Sequence, residues 1–342
     1  MAKDNNIQDF LTDVADAIRE KKGTTDKINP QDFSSEIASI QSGGRDWSEI
    51  GYNAEPSFIE EGFAYAKEIK DNWNSNIVTI SRKWHSDNRL FIFPNVDLSN
   101  VVNATLAFYN CCFLKYVPPI SMPKCTNISS MFRTCTALLE IKFVSDTSSI
   151  TSASDAFSGC KVLTKVDGLD TQNVTNMTNI FTSTALQEVE LNCKSATNLT
   201  DAVSENSNLK FANFFNTSNV SIFSRLFIRD TNLLKVSTLD FSAITTMENM
   251  FFSNNNLRHL DIINLGKSSL TSYDFSRATN WGVANDEIPD ARQSLIDSLI
   301  TYSYDRASNG MPAATIKLSA NTKALLTEEE IAQITNKGFT IA

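Results

Sequence analysis

The stretch "TQNVTNMTNIFTSTALQEVEL", residues 171–191, carries two apolar periodicities in one short segment. Val174, Met177, Ile180 and Phe181 return with helical spacing, and Leu186, Val189 and Leu191 with strand spacing. The pattern predicts a turn of helix, a bend and a strand. One such unit has too little apolar surface to bury its own inner side, so it should have copies. "CTNISSMFRTCTALLEIKF" (125–143) places Ile128, Met131, Phe132, Leu138, Ile141 and Phe143 in the same order, and "SITSASDAFSGCKVLTKVDGL" (149–169) repeats it. The anchor aromatic recurs at Phe108, Phe132, Phe157, Phe181, Phe227, Phe251 and Phe275, with Val203 standing in once. The period is about 24 residues, in the range that signals a stacked repeat array.

Composition sets the outer limits. The chain has 342 residues, 42% hydrophobic and 20% charged, with net charge −9. That excess of acid argues against a nucleic-acid partner, whose phosphates need a basic stripe. No run of about 18 apolar residues exists, so no membrane insertion is expected. The start "MAKDNNIQDFLTDVADAI" lacks the basic end and continuous apolar run of a secretory signal. Cys111, Cys135 and Cys160 each follow an anchor aromatic by three positions. Equivalent positions stack in a repeat array, so this spacing favours a buried thiol ladder over disulfides or metal ligands. No metal-ligand spacing and no cofactor motif is present.

The array is flanked by other kinds of sequence. Residues 1–44 read as an N-terminal helical module with two apolar faces, Ile7, Phe10, Leu11, Val14 and Ile18, then Phe33, Ile37 and Ile40. Two short helices bury too little to stand alone, so these residues are candidate anchoring positions. Residues 45–98 read as an N-terminal cap, with a helix opening at Pro56 and strands at "NIVTI" and "RLFIF". Residues 99–280 are the array and 281–342 a C-terminal α/β cap. In the latter, Thr327 and Glu330 make a capping box and "FTIA" an edge strand.

One parallel strand per unit would align equivalent side chains in rows about 4.8 Å apart. The outward rows contain Glu140, Lys165, Glu188, Lys235 and His259, and Lys142, Asp167, Glu190, Asn213, Ser237 and Asp261. Signs alternate along the first row, which would place opposite charges side by side. The pairs Phe214-Phe215 and Phe251-Phe252 do not fit inside together, so one of each, taken as Phe215 and Phe252, should face out, and Tyr273 is a further candidate contact. The candidate ligand-facing set is therefore Glu140, Lys142, Lys165, Asp167, Glu188, Glu190, Phe215, Lys235, Phe252 and His259. No catalytic residue is assigned. A Ser-His-Asp arrangement around His85 or His259 lacks a nucleophile context. A glycosidase pair among Asp167, Glu188 and Glu190 is the rival to a solvated, ion-paired face.

The repeats "TNISSMFRTCTALLEI", "NVTNMTNIFTSTALQEV" and "AITTMENMFFSNNNLRHL" resemble the BspA-like leucine-rich-repeat family over roughly residues 96–280. The resemblance implies an α/β repeat fold: a right-handed leucine-rich-repeat solenoid of about eight turns, with one parallel strand per turn. Members of that family are often bacterial surface adhesins. The two ends, "FLTDVADAIREKKGTTDKINPQDFSSEIASI" and "SLIDSLITYSYDRASNGMPAATIKLSANTKALLTEEEIAQITNKGFTIA", look like segments of appendage proteins of bacteriophages of gut bacteria, crAss-like phages among them. The resemblance implies a non-enzymatic virion structural protein, assembled in the host cytoplasm and carried on the virion surface. It would form a homo-oligomer, held to other virion proteins through residues 1–44 and contacting a host surface glycan or protein. A bacterial adhesin and a polysaccharide-degrading appendage are the alternatives.

Overall fold

The computed structural model describes residues 56–342 together with Arg19. The candidate anchoring residues Ile7, Phe10, Leu11, Val14, Ile18, Phe33, Ile37 and Ile40 lie outside the described residues.

The unit at residues 171–191 shows how the array is made. Asn176 bridges in parallel to Ser152 before it and Asn198 after it. From there the amides alternate in direction. Ile180 N–H and Thr182 N–H bond three residues back, to Met177 and Asn179. Asn179, Phe181 and Ser183 instead donate to Thr200, Ala202 and Ser204 of the next unit, at 3.1, 2.9 and 2.9 Å. The segment is thus a run of tight turns and not the turn of helix that the spacing predicted. The two share an inward pattern of i, i+3 and i+4, which is why periodicity alone did not separate them. The run needs left-handed backbone at Asn179 (φ 56°) and Ser183 (φ 55°). The same pair recurs at Ser130 and Thr134, Asp201 and Glu205, and Arg225 and Arg229. An L-residue there costs roughly 1–2 kcal/mol, offset by the bonds that cross between units.

Bridges link Thr79, Asn103, Asn127, Ser152, Asn176, Asn198, Ile222 and Thr246 in succession. The ladder therefore starts inside the segment read as a cap, and "NIVTI" and "RLFIF" contribute the single bridging residues Thr79 and Ile92 in place of strands. The asparagines that make the sequence look like a string of glycosylation triplets are occupied by the backbone. Asn103, Asn127, Asn176 and Asn198 accept from the amide two residues on, at 2.8–3.1 Å. Asn173 and Asn219 donate to carbonyls of the preceding unit.

Inside, the anchor rings form a column. Centroids stand 5.1 Å apart from Trp84 to Phe108 and from Phe108 to Phe132, 5.8 Å to Phe157 and 5.4 Å to Phe181. Val203 interrupts it, and stacking resumes from Phe227 to Phe251 at 5.8 Å. Each such pair adds about 0.5–1.5 kcal/mol beyond burial. The cysteines are free, and Cys111, Cys135 and Cys160 donate their thiols to the carbonyls of Trp84, Phe108 and Phe132, the anchors one unit back. Burial pushes Cys111 and Cys160 up to about 12. Later units fill the same place with Asn206, Asp230 and Asn254, all fully buried.

On the opposite wall run the strands, all parallel. β1 (Glu140–Lys142) pairs with β2 (Lys165–Asp167). β3 (Glu188–Asn192), β4 (Phe211–Phe215), β5 (Lys235–Asp240) and β6 (His259–Ile263) form a second sheet in sequence order. β7 (Ser272–Asp274), β8 (Ala314–Lys317) and β9 (Phe339–Ile341) form a third, with the "FTIA" strand on its edge. At the amino-terminal side, helix α1 (Pro56–Asp71) is followed by Trp73, stacked on Trp84 at 6.2 Å. At the other end, α2 (Ala291–Ile296) runs into a π-helical turn (Asp297–Thr301) against β6, followed by α3 (Ala320–Lys323) and α4 (Glu328–Asn336). The α4 start is the predicted box: Thr327 and Glu330 each bond the other's backbone amide. Arg306, wholly buried, donates from Nη1 to the carbonyls of Gly266 and Ser268 at 2.6 and 2.9 Å, and so ties this end to the array.

Candidate functional site: an opening between two strands

β2 and β3 follow one another in the array, yet they do not pair. A one-residue difference explains the break. The anchor and the unit's leucine stand six apart at Phe132 and Leu138, Phe157 and Leu163, Val203 and Leu209, and Phe227 and Leu233, but five apart at Phe181 and Leu186. In a full-length unit the residue after the leucine donates to the preceding unit, as Thr164 does to Leu139 at 2.9 Å and Lys210 to Gln187 at 2.8 Å. In the short unit that bond comes from the residue before the leucine, Ala185 to Leu163 at 3.0 Å. β3 then leaves β2's register. It is recaptured only by the Thr171 hydroxyl, which accepts from the Asn192 amide at 2.8 Å and donates to its carbonyl at 3.1 Å.

Between these two pins lies a cleft of about 780 Å³. Phe181, Leu186 and Val189, nearly covered, contribute its apolar lining, while Lys165, Asp167, Asp170, Glu188, Glu190 and Asn213 bring polar groups. The facing edges of β2 and β3 have no strand partner among the described residues, so main-chain donors and acceptors also look into the opening. Its charge is lopsided. Lys165 pairs with Asp167 of its own strand at 2.8 Å, and that hydrogen bond raises the lysine pKa. Asp170 accepts from the backbone and side chain of Gln172. Glu188 and Glu190, both exposed on one side of β3, have no ion pair among the described residues.

The other candidate residues scatter. Glu140 sits opposite Lys165 in the β1–β2 register, and Lys142 opposite Asp167. Phe211 lies between Glu188 and Lys235, so the alternation of sign expected along that row is broken twice, by the cleft and by a phenyl ring. Phe215 faces out at 46% exposure with Phe214 buried, and Phe252 is half-buried beneath the Arg277 guanidinium with Phe251 buried. Tyr273 is fully buried, with its hydroxyl 3.2 Å from that of Ser268: it is core, as such aromatics more often are, and leaves the candidate contacts.

His259 is a correction. It is only 5% exposed, because α2 covers the end of β6. Its ring nitrogens meet Asp261 at 3.0 Å and Asp290 at 3.3 Å. Burial pushes the Asp261 carboxyl up, but hydrogen bonds from His259 and Ser294 outweigh it and hold the group below the usual carboxylate range. Both nitrogens face carboxylates and neither is hydrogen-bonded to a serine, so His259 is not the histidine of a Ser-His-Asp triad. Among the described residues no cluster of His, Cys, Asp and Glu could hold a metal, and no helix is long and apolar enough to cross a membrane.

Comparison with known proteins places the array. No curated protein matches the chain. A crystal structure of a leucine-rich repeat protein from Bacteroides ovatus is similar at 15% identity and a TM-score of 0.28. The similarity covers 58% of this chain and 62% of that one. A family model described as "Mycoplasma protein of unknown function, DUF285" matches residues 102–211, 126–256 and 196–285. The three matches overlap because a repeat array can be laid on the same model in several registers, and together they span more than half of the 342 residues. They fall on the stretch whose motif resembles BspA-like leucine-rich repeats: the chain belongs to the DUF285 family.

Proposed function

We propose that the array is a right-handed leucine-rich-repeat solenoid of about eight turns, capped at both ends, and that it works as a non-enzymatic recognition surface on a bacteriophage virion. The succession of parallel bridges from Thr79 to Thr246 supports the solenoid. The observation that carries recognition is the cleft between β2 and β3, where two strands consecutive in the array leave their facing edges unpaired around an opening. Resemblance of both ends to phage appendage segments supports the setting. In this reading Ile7, Phe10, Leu11, Val14, Ile18, Phe33, Ile37 and Ile40 dock on other virion proteins or on sister copies. The sheet face meets a host surface glycan or protein, and many copies per particle make weak single contacts sufficient.

Mass spectrometry of purified virions, wild type beside a mutant lacking residues 1–44, tests it. The full chain should be present and the truncated one absent. A virion without the full chain defeats the assignment, and a truncated chain that still assembles removes the anchor.

One observation favours a second reading, a polysaccharide-degrading appendage. Glu188 and Glu190 are a carboxylate pair without a lysine partner among the described residues, and two residues along a strand set them about 7 Å apart, within the spacing of inverting glycosidases. Hydrolysis also requires one carboxyl kept protonated by burial, and both are exposed. Release of reducing ends from host polysaccharide, lost in E188Q, would establish the enzyme. Its absence leaves the binding surface.

A further inference from the structure

We infer that the cleft between β2 and β3 receives an arginine side chain presented by a partner protein. This deepens the recognition reading and rests on it for the identity of the site. Three features of the opening select the occupant. Its charge is the first: Lys165 is neutralised within its own strand by Asp167, which leaves Glu188 and Glu190 as carboxylates without a cation among the described residues. A neutral guest would leave that charge unanswered, and an anion would be repelled.

The second is shape. The cleft is closed at one end by the Ala185–Leu163 bond and at the other by Thr171 on Asn192. An added β-strand needs an edge open along its length. This one is pinned at both ends, with residues 164–170 on the β2 side and 186–191 on the β3 side between the pins, so a side chain can enter from the outer face while a strand running through meets a pin at either end. The third is the mixture of linings. Phe181, Leu186 and Val189 offer an apolar wall to a methylene stem, while the unpaired strand edges offer carbonyl oxygens beside the carboxylates. A guanidinium presents five N–H donors in a plane and satisfies carboxylates and carbonyls together, whereas an ammonium is a compact, strongly hydrated point charge.

The test uses the purified full chain and three peptides, acetyl-Gly-Arg-Gly-amide, its lysine counterpart and its citrulline counterpart, titrated by NMR at low salt. The arginine peptide should bind in the low-millimolar range and shift amides of residues 165–170 and 186–190. The lysine peptide should bind several-fold more weakly, and citrulline, of the same shape without charge, at least tenfold more weakly. The double variant E188Q/E190Q, at exposed positions that leave folding intact, should weaken arginine binding about tenfold.

A second variant reads the cleft without touching the carboxylates: one residue inserted between Thr184 and Ala185, which restores the common spacing, should abolish the shifts. Citrulline binding equal to arginine, equal binding by E188Q/E190Q, or shifts confined to other parts of the surface would each overturn the inference. Failure here with the chain present on virions removes the arginine site alone. Absence from virions with arginine binding intact removes only the virion assignment.

Discussion

Replacing Asp230 by Asn should stabilise this protein at neutral pH, although it alters a fully buried side chain. Asp230 occupies the place next to the anchor column where Cys160, Asn206 and Asn254 each donate a hydrogen bond to the anchor carbonyl of the preceding unit. The thiol of Cys160 donates to the Phe132 carbonyl at 3.0 Å, the amide of Asn206 to Phe181 at 2.9 Å and that of Asn254 to Phe227 at 2.7 Å. Asp230 does only half of this. Its Oδ1 accepts from the Asn206 backbone N–H at 2.7 Å, and its Oδ2, which corresponds to the donating atom of its neighbours, has no partner. An ionised carboxylate has nothing to donate, whereas a protonated one does. Burial accordingly drives its pKa well above 3.8, with the nearby Glu205 charge adding to the shift against the Asn206 hydrogen bond.

The sign follows from linkage. The folded state holds a proton that the unfolded state releases above pH 3.8, so stability falls as pH rises from there to the folded pKa. At pH 7 the cost cannot exceed about 4 kcal/mol, the price of the full interval at 1.36 kcal/mol per unit. Asn keeps the acceptor, supplies the donor and has no proton to hold. A gain of about 1–3 kcal/mol is expected, the usual worth of satisfying one buried polar group. At about 1–2 °C per kcal/mol for a chain of this length, this is a rise of a few degrees in Tm. Thermal melts of wild type and D230N at pH 4, 5.5 and 7 would show it: curves close together at pH 4 and progressively separated above. A variant less stable than wild type at pH 7, or a gap independent of pH, would refute the argument.

Three other outcomes follow from the same geometry. Ellman's reagent should titrate Cys112 alone in the native protein, since the remaining cysteines are buried, and all six thiols in guanidinium. His259→Ala should cost about 1–3 kcal/mol and raise hydrogen exchange in α2, because it removes a buried ring and its hydrogen bonds to Asp261 and Asp290; unchanged exchange in 291–301 would show that the histidine does not hold the helix. Inserting one residue between Thr184 and Ala185 should join β2 to β3 and slow exchange at residues 187–190 at least tenfold, each new strand bond being worth about 1 kcal/mol; unaltered exchange there would mean that something besides spacing keeps the strands apart.

The repeat was legible because its determinants are local and multiplied. Phe132, Phe157 and Phe181 recur at the same offset from Leu138, Leu163 and Leu186 to within one residue, and no single domain produces that by chance. The thiol ladder, the outward member of each phenylalanine pair and the Thr327 box were legible for the same reason: each depends on neighbours a few positions away. The turn run was not, because left-handed Asn179 and Ser183 leave the inward spacing of a helix unchanged and announce themselves only through amides that cross between units. Nor were the covers of His259 and Tyr273. They come from elements distant in sequence, α2 over His259 and the third sheet around Tyr273, and no strand periodicity reports what will be laid on top.

The candidate site belongs to a third category, visible in the sequence but silent until the fold gives it meaning. A missing residue between Phe181 and Leu186 is easily passed over as drift in a degenerate repeat. In a stacked array it is a local change with a fixed consequence, because each unit is built on the hydrogen bonds of the one before. The unit must either shift its strand or lose its anchor. Phe181 keeps its place in the ring column, 5.4 Å from Phe157, so the strand is what moves. The column is apolar, buried and continuous on that side, whereas the sheet wall faces solvent and gives up its pairing at the cost of a few net hydrogen bonds. The opening therefore forms on the exposed wall, beside whatever side chains the next strand presents, and here those are Glu188 and Glu190. Placing an unpaired acidic strand edge where the stack is interrupted turns a structural fault into a candidate binding surface, and the same logic locates the first place to look in any array of this family with one short unit.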